Sequence, residues 1–454
     1  MNIQDSVRFI KDHSTDSLPG TLIRTCCRRV GYEWRQRKLG PVETIQAFAQ
    51  QILHGNTAIE HVKRITRQGF SNSSYCDARA RLWLEVMQET LQSVIGKMPR
   101  QDRDDPLATW FGHRTCLMDG TAFSMPDTQE LRDYFGLHGL QKEGCGFPTA
   151  RLLCLFEAHH GYLLKTIASP LRTHDMAKAT ILHEALRPGD VLVGDKAFAG
   201  YAHLASCKKR GIFAVFPAHQ AQIIDFRPYR RYRLPWQTAR KGESLQGLPT
   251  SRWIKRLGKH DQLVEYFKPQ ERPSWMSQEE YDQLPDSIIV RELRYRVRAP
   301  GRRKRLVTIT TTLLDAKRYP AAAIAKLYGL RWRVETYIQQ LKHTMKLAVL
   351  KCETVEGVLK ELTMFALIYN LVRRVMVQAA RRQGVAVERI SFIDALRWMQ
   401  QAALGEPLVD LVVNPWRPDR FEPRKLKRRK KKYPHLKQPR AELKKVMKRQ
   451  GLVT

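Results

Sequence analysis

A mixed α/β fold, led by helices and interrupted by a β-rich stretch, is what this 454-residue chain predicts. Three observations carry that expectation. Short apolar runs end in Asp119 and Asp195 and read as buried strands. Helical patterns alternate with such runs between about residues 112 and 216, joined by short turns. Residues 220–318, rich in Arg, Pro and aromatic side chains, break the alternation before a long helical stretch opens at Pro320.

Taken in order, residues 1–105 read as helical. Val42–Leu53 sets apolar side chains at helical spacing behind Pro41, a residue suited to a first turn. Ala58–Ile65 and Tyr75–Ile95 repeat the pattern. The Gly, Asn and Ser residues of 67–74 fit a turn. Either a helix-turn-helix with Arg79 and Arg81 on its second helix or a plain helical bundle satisfies this spacing.

Residues 106–219 then read as strand Arg114–Phe123, the strand pair Ala150–Glu157 and Tyr162–Ser169 around His159-His160-Gly161, and helix Met176–Leu186. The turn Arg187–Asp190, strand Val191–Val193, helix Tyr201–Arg210 and strand Ile212–Phe216 follow. Inside 220–318, Leu263–Phe267, Ser287–Val297 and Arg305–Leu313 are strand-like, as a β-rich insertion would be. Residues 319–400 are helical, with Leu359, Leu362, Phe365, Ala366 and Tyr369 on an apolar packing face. Residues 401–454 form a basic tail centred on Lys427–Lys432, expected to be disordered.

The net charge of +35 and pI near 10.1 call for a polyanionic partner, nucleic acid before a membrane surface. Arg424–Arg449 holds fourteen Lys or Arg against the single acid Glu442, so +35 less +13 leaves +22 on the rest of the chain. The body is therefore basic without its tail. No apolar run reaches the ~20 residues of a membrane span. Met1–Ser14 has no apolar signal core, which points to an intracellular protein. The eight cysteines include no C-x-x-C pair, so no zinc ribbon is expected and reduced thiols are.

Against this basic background three acids stand out. Asp119 follows Cys116-Leu-Met118 and precedes Gly120, and Asp195 follows Val191-Leu-Val-Gly194. An acid closing a buried strand is costly unless paired or metal-bound. Either one alone fits a turn or helix cap. Glu335 falls on the helical stretch after Pro320, where Tyr328, Arg331, Glu335 and Lys342 recur at spacings of three, four and seven, on one helix face. Clustered carboxylates suit two magnesium ions, which bind oxygen, keep waters, and can activate one oxygen of a phosphodiester while stabilising another. His159 and His160 are the other metal-ligand types in reach of this region, but a turn position explains them.

Tyr-x2-Arg-x3-Glu-x6-Lys, present here without a gap as Tyr328, Arg331, Glu335 and Lys342, resembles the signature of DDE transposases of bacterial insertion sequences of the IS-four type. Asp119-Gly-Thr121 with Ser124–Thr128 looks like that family's first acidic motif, and Gly194–Phe198 like its second. Gly144–Pro148 and Tyr369-Asn370 are also similar, and the likeness extends over almost the whole chain. The resemblance implies a ribonuclease H-like catalytic core, spanning 106–219 and completed within 319–400, interrupted by the β insertion and preceded by a helical DNA-binding domain. It implies Asp119, Asp195 and Glu335 as catalytic residues holding two Mg²⁺ ions, with Mn²⁺ as a substitute. Tyr328, Arg331 and Lys342 would hold phosphates of the element end, an Arg fork and a Lys charge being suited to this. Lys196 and Arg333 join them as expected DNA contacts. The partners implied are double-stranded DNA, as terminal inverted repeats and target, and a second copy of the chain on paired ends. The expected reaction is end cleavage and 3′-hydroxyl joining through a hairpin, in a bacterial cytoplasm at the nucleoid.

Two departures qualify the likeness. The second motif usually reads Asp-Arg, whereas Lys196 follows Asp195, keeping the charge but not a bidentate fork. Some relatives stack a flipped base on a Trp in the insertion's last strand, and Arg305–Leu313 has none; Trp236, Trp253 and Trp275 lie earlier. The same acids would also serve a ribonuclease H-like nuclease or resolvase that cuts without joining. An inactive DNA-binding derivative would need no intact acids.

Overall fold

The structure is a computed structural model describing residues 18–66, 69–97, 109–137, 144–173, 175–239, 244–297, 305–401, 407–415 and 438–452. Among these, nine strands form one sheet in the order β3-β2-β1-β4-β5-β9-β8-β7-β6.

The leading region holds α1 (Gly20–Arg29), α2 (Pro41–Leu53), α3 (Ile59–Thr66), α4 (Asn72–Arg81) and α5 (Leu84–Lys97). The stretch expected as one helix from Tyr75 to Ile95 is two, because Leu82 takes an extended conformation and buries its side chain at the break. Ser71 starts α4 by accepting the Ser74 N–H, an N-cap bond. Arg79 does not face outward for a DNA groove. Its guanidinium lies 3.8 Å over the Phe48 ring and donates to Cys352 Sγ at 2.7 Å, tying α4 inward.

The alternating region follows the expected order. It contains β1 (Thr115–Ser124), α6 (Gln129–Phe135), β2 (Thr149–Glu157), β3 (Leu163–Pro170), α7 (Met176–Leu182), β4 (Val191–Val193), α8 (Tyr201–Lys209) and β5 (Phe213–Pro217). The first three strands pair antiparallel, while β1, β4 and β5 run parallel. The β-rich stretch contributes β6 (Ser251–Gly258), β7 (Asp261–Phe267), α9 (Gln278–Asp282), β8 (Ser287–Val297) and β9 (Arg305–Thr311). Its strands form an antiparallel meander that continues the sheet, with β9 pairing β5 through Val215 and Thr311. Fully buried Arg291 donates to both carboxylate oxygens of Asp261 and to the Tyr319 carbonyl, fastening the meander to the segment that leads into the next helices.

That helical region divides into α10 (Ala321–Gly329), α11 (Arg331–Gln339), a π-helical turn at Gln340–Thr344, and α12 (Val355–Gln383); α13 (Phe392–Gln401) and α14 (Arg440–Arg449) complete the described chain. One cluster of buried apolar residues joins α1–α5, one face of β1 and β4, and helices α10–α13. A second lies on the opposite face with α7, α8 and α9. The leading helices thus share a core with α12 and do not build a separate one. Part of the tail is ordered: α14 buries no side chain, but Arg440 pairs with Asp127 at 2.5 Å and covers the Phe147 ring at 3.8 Å. The run Lys427–Lys432 lies outside the described residues. No described helix is long and apolar enough to cross a membrane.

Candidate active site

The sheet register sets the first two acids side by side. Leu117 of β1 pairs Val193 of β4 in parallel, so Asp119 and Asp195 each stand two residues beyond the same rung. Two residues is one strand period, so both point to the face of Leu117 and Val193, the face that carries α11. Neighbouring strands lie about 4.8 Å apart. Asp119 Oδ1 accepts the Gly120 N–H at 2.8 Å, and Asp195 Oδ1 accepts the Lys196 N–H at 2.7 Å.

Glu335 reaches this face on α11, which packs Val334 and Tyr337 into the core. The Arg331 guanidinium lies between the acids, 3.9 Å from Asp119 Oδ2 and 3.0 Å from Glu335 Oε1. Its Nε is buried with no hydrogen-bond partner among the described residues. Burial raises the Asp119 pKa above its usual value, and Asp195 and Glu335 raise it further against the Gly120 N–H and Arg331, which lower it. Burial pulls Arg331 down, yet Tyr328, Glu335, Asp119 and Asp195 together hold it above its usual value. Five expected residues, Asp119, Asp195, Glu335, Arg331 and Tyr328, therefore share one electrostatic cluster.

Lys196, Lys342 and Arg333 are held by other contacts. Lys196 is exposed and its Nζ donates to Gln220 at 3.3 Å. Lys342 is half-buried on the π turn, and its carbonyl accepts the Ala348 N–H. Arg333 donates to the Ala158 carbonyl at 3.0 Å and pairs Glu388 at 2.6 Å, so it clamps α11 to the β2–β3 turn. The single helix face expected for Tyr328 through Lys342 is broken twice. Leu330 N–H bonds Leu327 three residues back, ending α10, and the π turn Gln340–Thr344, which contains Lys342, widens the ladder, with the Met345 N–H bonding Gln340 five residues back.

Further residues position the site, and Gly120, Ser124, Tyr369 and Asn370 among them lie in stretches that the resemblance singles out. A Cβ on Gly120 would come within 2.7 Å of Asp175 Oδ2, so this glycine makes room for the Asp175–Arg151 ion pair at 3.2 Å. The end of β1 is held by Ser124, whose N–H donates to Ala348 and whose carbonyl accepts from Leu350, stitching β1 to the segment after the π turn. Glu157 accepts the backbone N–H of His159 at 2.5 Å and of His160 at 2.7 Å, so His159-His160 is a turn that this carboxylate closes. Asn370, fully buried, bonds both backbone groups of Leu163, and the Tyr369 hydroxyl donates to Gly161. Only a lone Asp before a helix marked Asp175, a position that reads as an ordinary cap.

The donor set is oxygen only, which suits a hard divalent cation such as Mg²⁺ or Mn²⁺. One guanidinium faces three carboxylates here, and the raised pKa of Asp119, set first by burial and then by the charges of Asp195 and Glu335, fits an acid cluster with room for added positive charge.

The family described as "Transposase DDE domain" matches residues 110–371, more than half of the chain. The chain is similar to "Transposase InsG for insertion sequence element IS4" of Escherichia coli (strain K12), 24% identical over 349 residues, 72% of this chain and 71% of the relative. It is also similar to "Putative transposase InsZ" of the same strain, 26% identical over 103 residues, 22% of this chain and 34% of that one. Among solved structures, a piggyBac transposase synaptic complex with hairpin DNA aligns at a TM-score of 0.40 and 12% identity, over 88% of this chain and 80% of that chain.

Proposed function

This chain belongs to the DDE transposase family, and on that premise we propose that it cuts insertion-sequence ends and joins the freed 3′-hydroxyls to target DNA, through a hairpin intermediate. The ribonuclease H-like reading of the core rests on strand order 3-2-1-4-5 with its parallel and antiparallel pairings. The domain assignment stays as proposed from sequence: 1–105 helical and DNA-binding, 106–219 and 319–400 catalytic, 220–318 the β insertion, 401–454 the basic tail. The observation that carries the proposal is the Arg331 guanidinium set between Asp119 and Glu335, beside an Asp195 level with Asp119 in the sheet.

Asp119, Asp195 and Glu335 are the proposed ligands of two divalent ions, Mg²⁺ with Mn²⁺ as substitute. Such ions supply the charge that activates an attacking oxygen and stabilises a leaving one. Arg331 balances the acids in the metal-free protein. When the acids are engaged, its fork turns to a phosphate of the element end, next to the Tyr328 hydroxyl. Lys342 and Lys196, exposed or half-exposed at the rim, add point charges to the backbone contact. The net +35 supplies sequence-independent grip on terminal repeats and target. The working assembly is a homodimer on paired ends, in the bacterial cytoplasm at the nucleoid.

The test is incubation with Mg²⁺ and a labelled element end plus target duplex. Joined product supports the proposal. Cleavage with no joined product under any metal would leave the nuclease or resolvase reading in its place.

A further inference from the structure

On the other face of the sheet, two imidazoles and a thiol meet inside the core. His183 follows α7, while His203 and Cys207 lie four residues apart on α8 and so share one helix face. All three are at most 1% exposed. His183 Nε2 is 2.9 Å from His203 Nε2 and 3.8 Å from Cys207 Sγ, and all three ligand atoms lie within 4.8 Å of one another. Among the described residues no other group of three His, Cys, Asp or Glu ligands converges so closely.

We propose that His183, His203 and Cys207 form a buried zinc site that braces the turn carrying Asp195. Zinc bonds of about 2.0–2.1 Å to nitrogen and 2.3 Å to sulfur place tetrahedral ligand atoms roughly 3.3–3.6 Å apart. The two spacings found here, 2.9 and 3.8 Å, straddle that range. His203 is oriented as a zinc ligand is. Its Nδ1 donates to the Phe198 carbonyl at 2.8 Å, which leaves the Nε2 lone pair free to bind.

In the metal-free protein one of the two facing Nε2 atoms carries a proton, and with His203 Nε2 accepting it is His183 Nε2. Binding through His183 Nε2 therefore uses its other tautomer, with the proton on the buried Nδ1, which has no hydrogen-bond partner among the described residues. The nitrogen and sulfur donors also separate this site from the oxygen-only acids: it selects a softer ion than Mg²⁺. Three protein donors leave the fourth position of a tetrahedron to a water. Binding turns the Cys207 thiol to thiolate and releases its proton to solvent, while the His183 proton passes from Nε2 to Nδ1, and the burial of the site means that the ion is captured as the chain folds.

The connection to Asp195 is short. The Phe198 carbonyl that His203 holds closes the turn Lys196–Phe198, which Asp195 starts. The Phe216 ring stacks on His203 at 5.4 Å, and a Cβ on Gly194 would come within 3.1 Å of both Phe198 and Phe216. Movement of His203 is thus passed to the residues on either side of Asp195.

The test uses the full chain, purified without chelator and dialysed against micromolar Zn²⁺. Plasma mass spectrometry is expected to find about one zinc per chain, unchanged by excess Mg²⁺ and reduced at least tenfold in Cys207→Ala. Exchange with Co²⁺ should give a thiolate-to-cobalt charge-transfer band with the visible bands of a tetrahedral ion. The cobalt spectrum is read on the unaltered chain, so it stands even where Cys207→Ala does not fold. Zinc retained equally by folded Cys207→Ala, or no charge-transfer band in the unaltered chain, overturns the proposal.

Discussion

The guanidinium of Arg331 stands 3.9 Å from the carboxylate of Asp119. The two residues come from different elements, α11 and β1, and each moves the other's proton affinity: Arg331 lowers Asp119, and Asp119 raises Arg331. A divalent ion on the proposed acid site would therefore compete with Arg331 for the same negative charge.

Competition gives Arg331→Ala a double signature. An exposed i,i+4 pair such as Arg331–Glu335 contributes only about 0.3–0.5 kcal/mol, and the Asp119 contact adds to it. Metal-free Arg331→Ala should bind Mn²⁺ roughly two- to tenfold more tightly, read by electron paramagnetic resonance. Cleavage of an element end should fall about a hundredfold, since the phosphate contact proposed for Arg331 would be lost. Weaker Mn²⁺ binding in the variant would show that Arg331 assists the acids and does not compete with them.

Asp119→Asn should abolish cleavage, leave DNA binding within about twofold, and melt at or above the temperature of the unaltered, metal-free chain. The sign follows from the raised pKa of Asp119. A carboxyl raised by folding contributes stability that is full below its unfolded pKa and lost as pH rises through its folded pKa. At neutral pH the charged form is thus a net burden that asparagine removes, while its amide oxygen still accepts the Gly120 N–H. Calorimetry at neutral pH in chelator decides; a clear drop in Tm would mean that Arg331 outweighs burial at this site.

Gly120→Ala tests the room made for Asp175. The new Cβ would press on a carboxylate held by Arg151, a crowding cost of about 1–3 kcal/mol, and the strain falls one residue from Asp119. Reduced end cleavage and lower stability are expected. Adding Asp175→Ala should recover most of the stability, because the obstruction is gone. A double variant no more stable than Gly120→Ala would place the damage in the backbone.

Asp119, Asp195, Glu335, Arg331 and Tyr328 were singled out by side-chain type and spacing along the chain, and the fold brings these five into one cluster. Asp119 and Asp195 could be read as strand-end acids, but their shared level depends on β1 pairing β4, which no local pattern encodes. The break at Leu330 and the π turn were hidden because Ala321–Lys342 keeps an unbroken helical periodicity. Arg333 looked like its neighbour Arg331, yet a helix turns successive residues by about 100°, and two positions on it meets the β2–β3 turn. The strand Ser251–Gly258 carries no clean alternation: Arg252, Lys255 and Arg256 are exposed charges, only Ser251 is buried, and the other four residues are half-buried, as suits an edge strand.

Glu157 ties that turn to the active-site helix, and its titration should be visible in stability. Burial alone would raise its pKa, but His160 and the backbone N–H groups of His160 and His159 hold it below its usual value of 4.5. A carboxyl lowered by folding contributes stability that is full above its unfolded pKa and lost as pH falls through its folded pKa. The loss should therefore begin near pH 4.5 and continue into more acidic solution. The turn it closes presents the Ala158 carbonyl to Arg333 and Tyr337 of α11 and the His160 carbonyl to Arg373 of α12. Glutamine offers one acceptor where two N–H groups need one each, and a charge-assisted hydrogen bond is worth about 1.5–3 kcal/mol. Glu157→Gln should lower urea stability at pH 7 by about that amount and flatten the acid limb of the stability profile. It should also weaken end cleavage, because α11 loses its anchor. Equal stability of variant and unaltered chain at pH 7, with the acid limb unchanged, would remove Glu157 from this role.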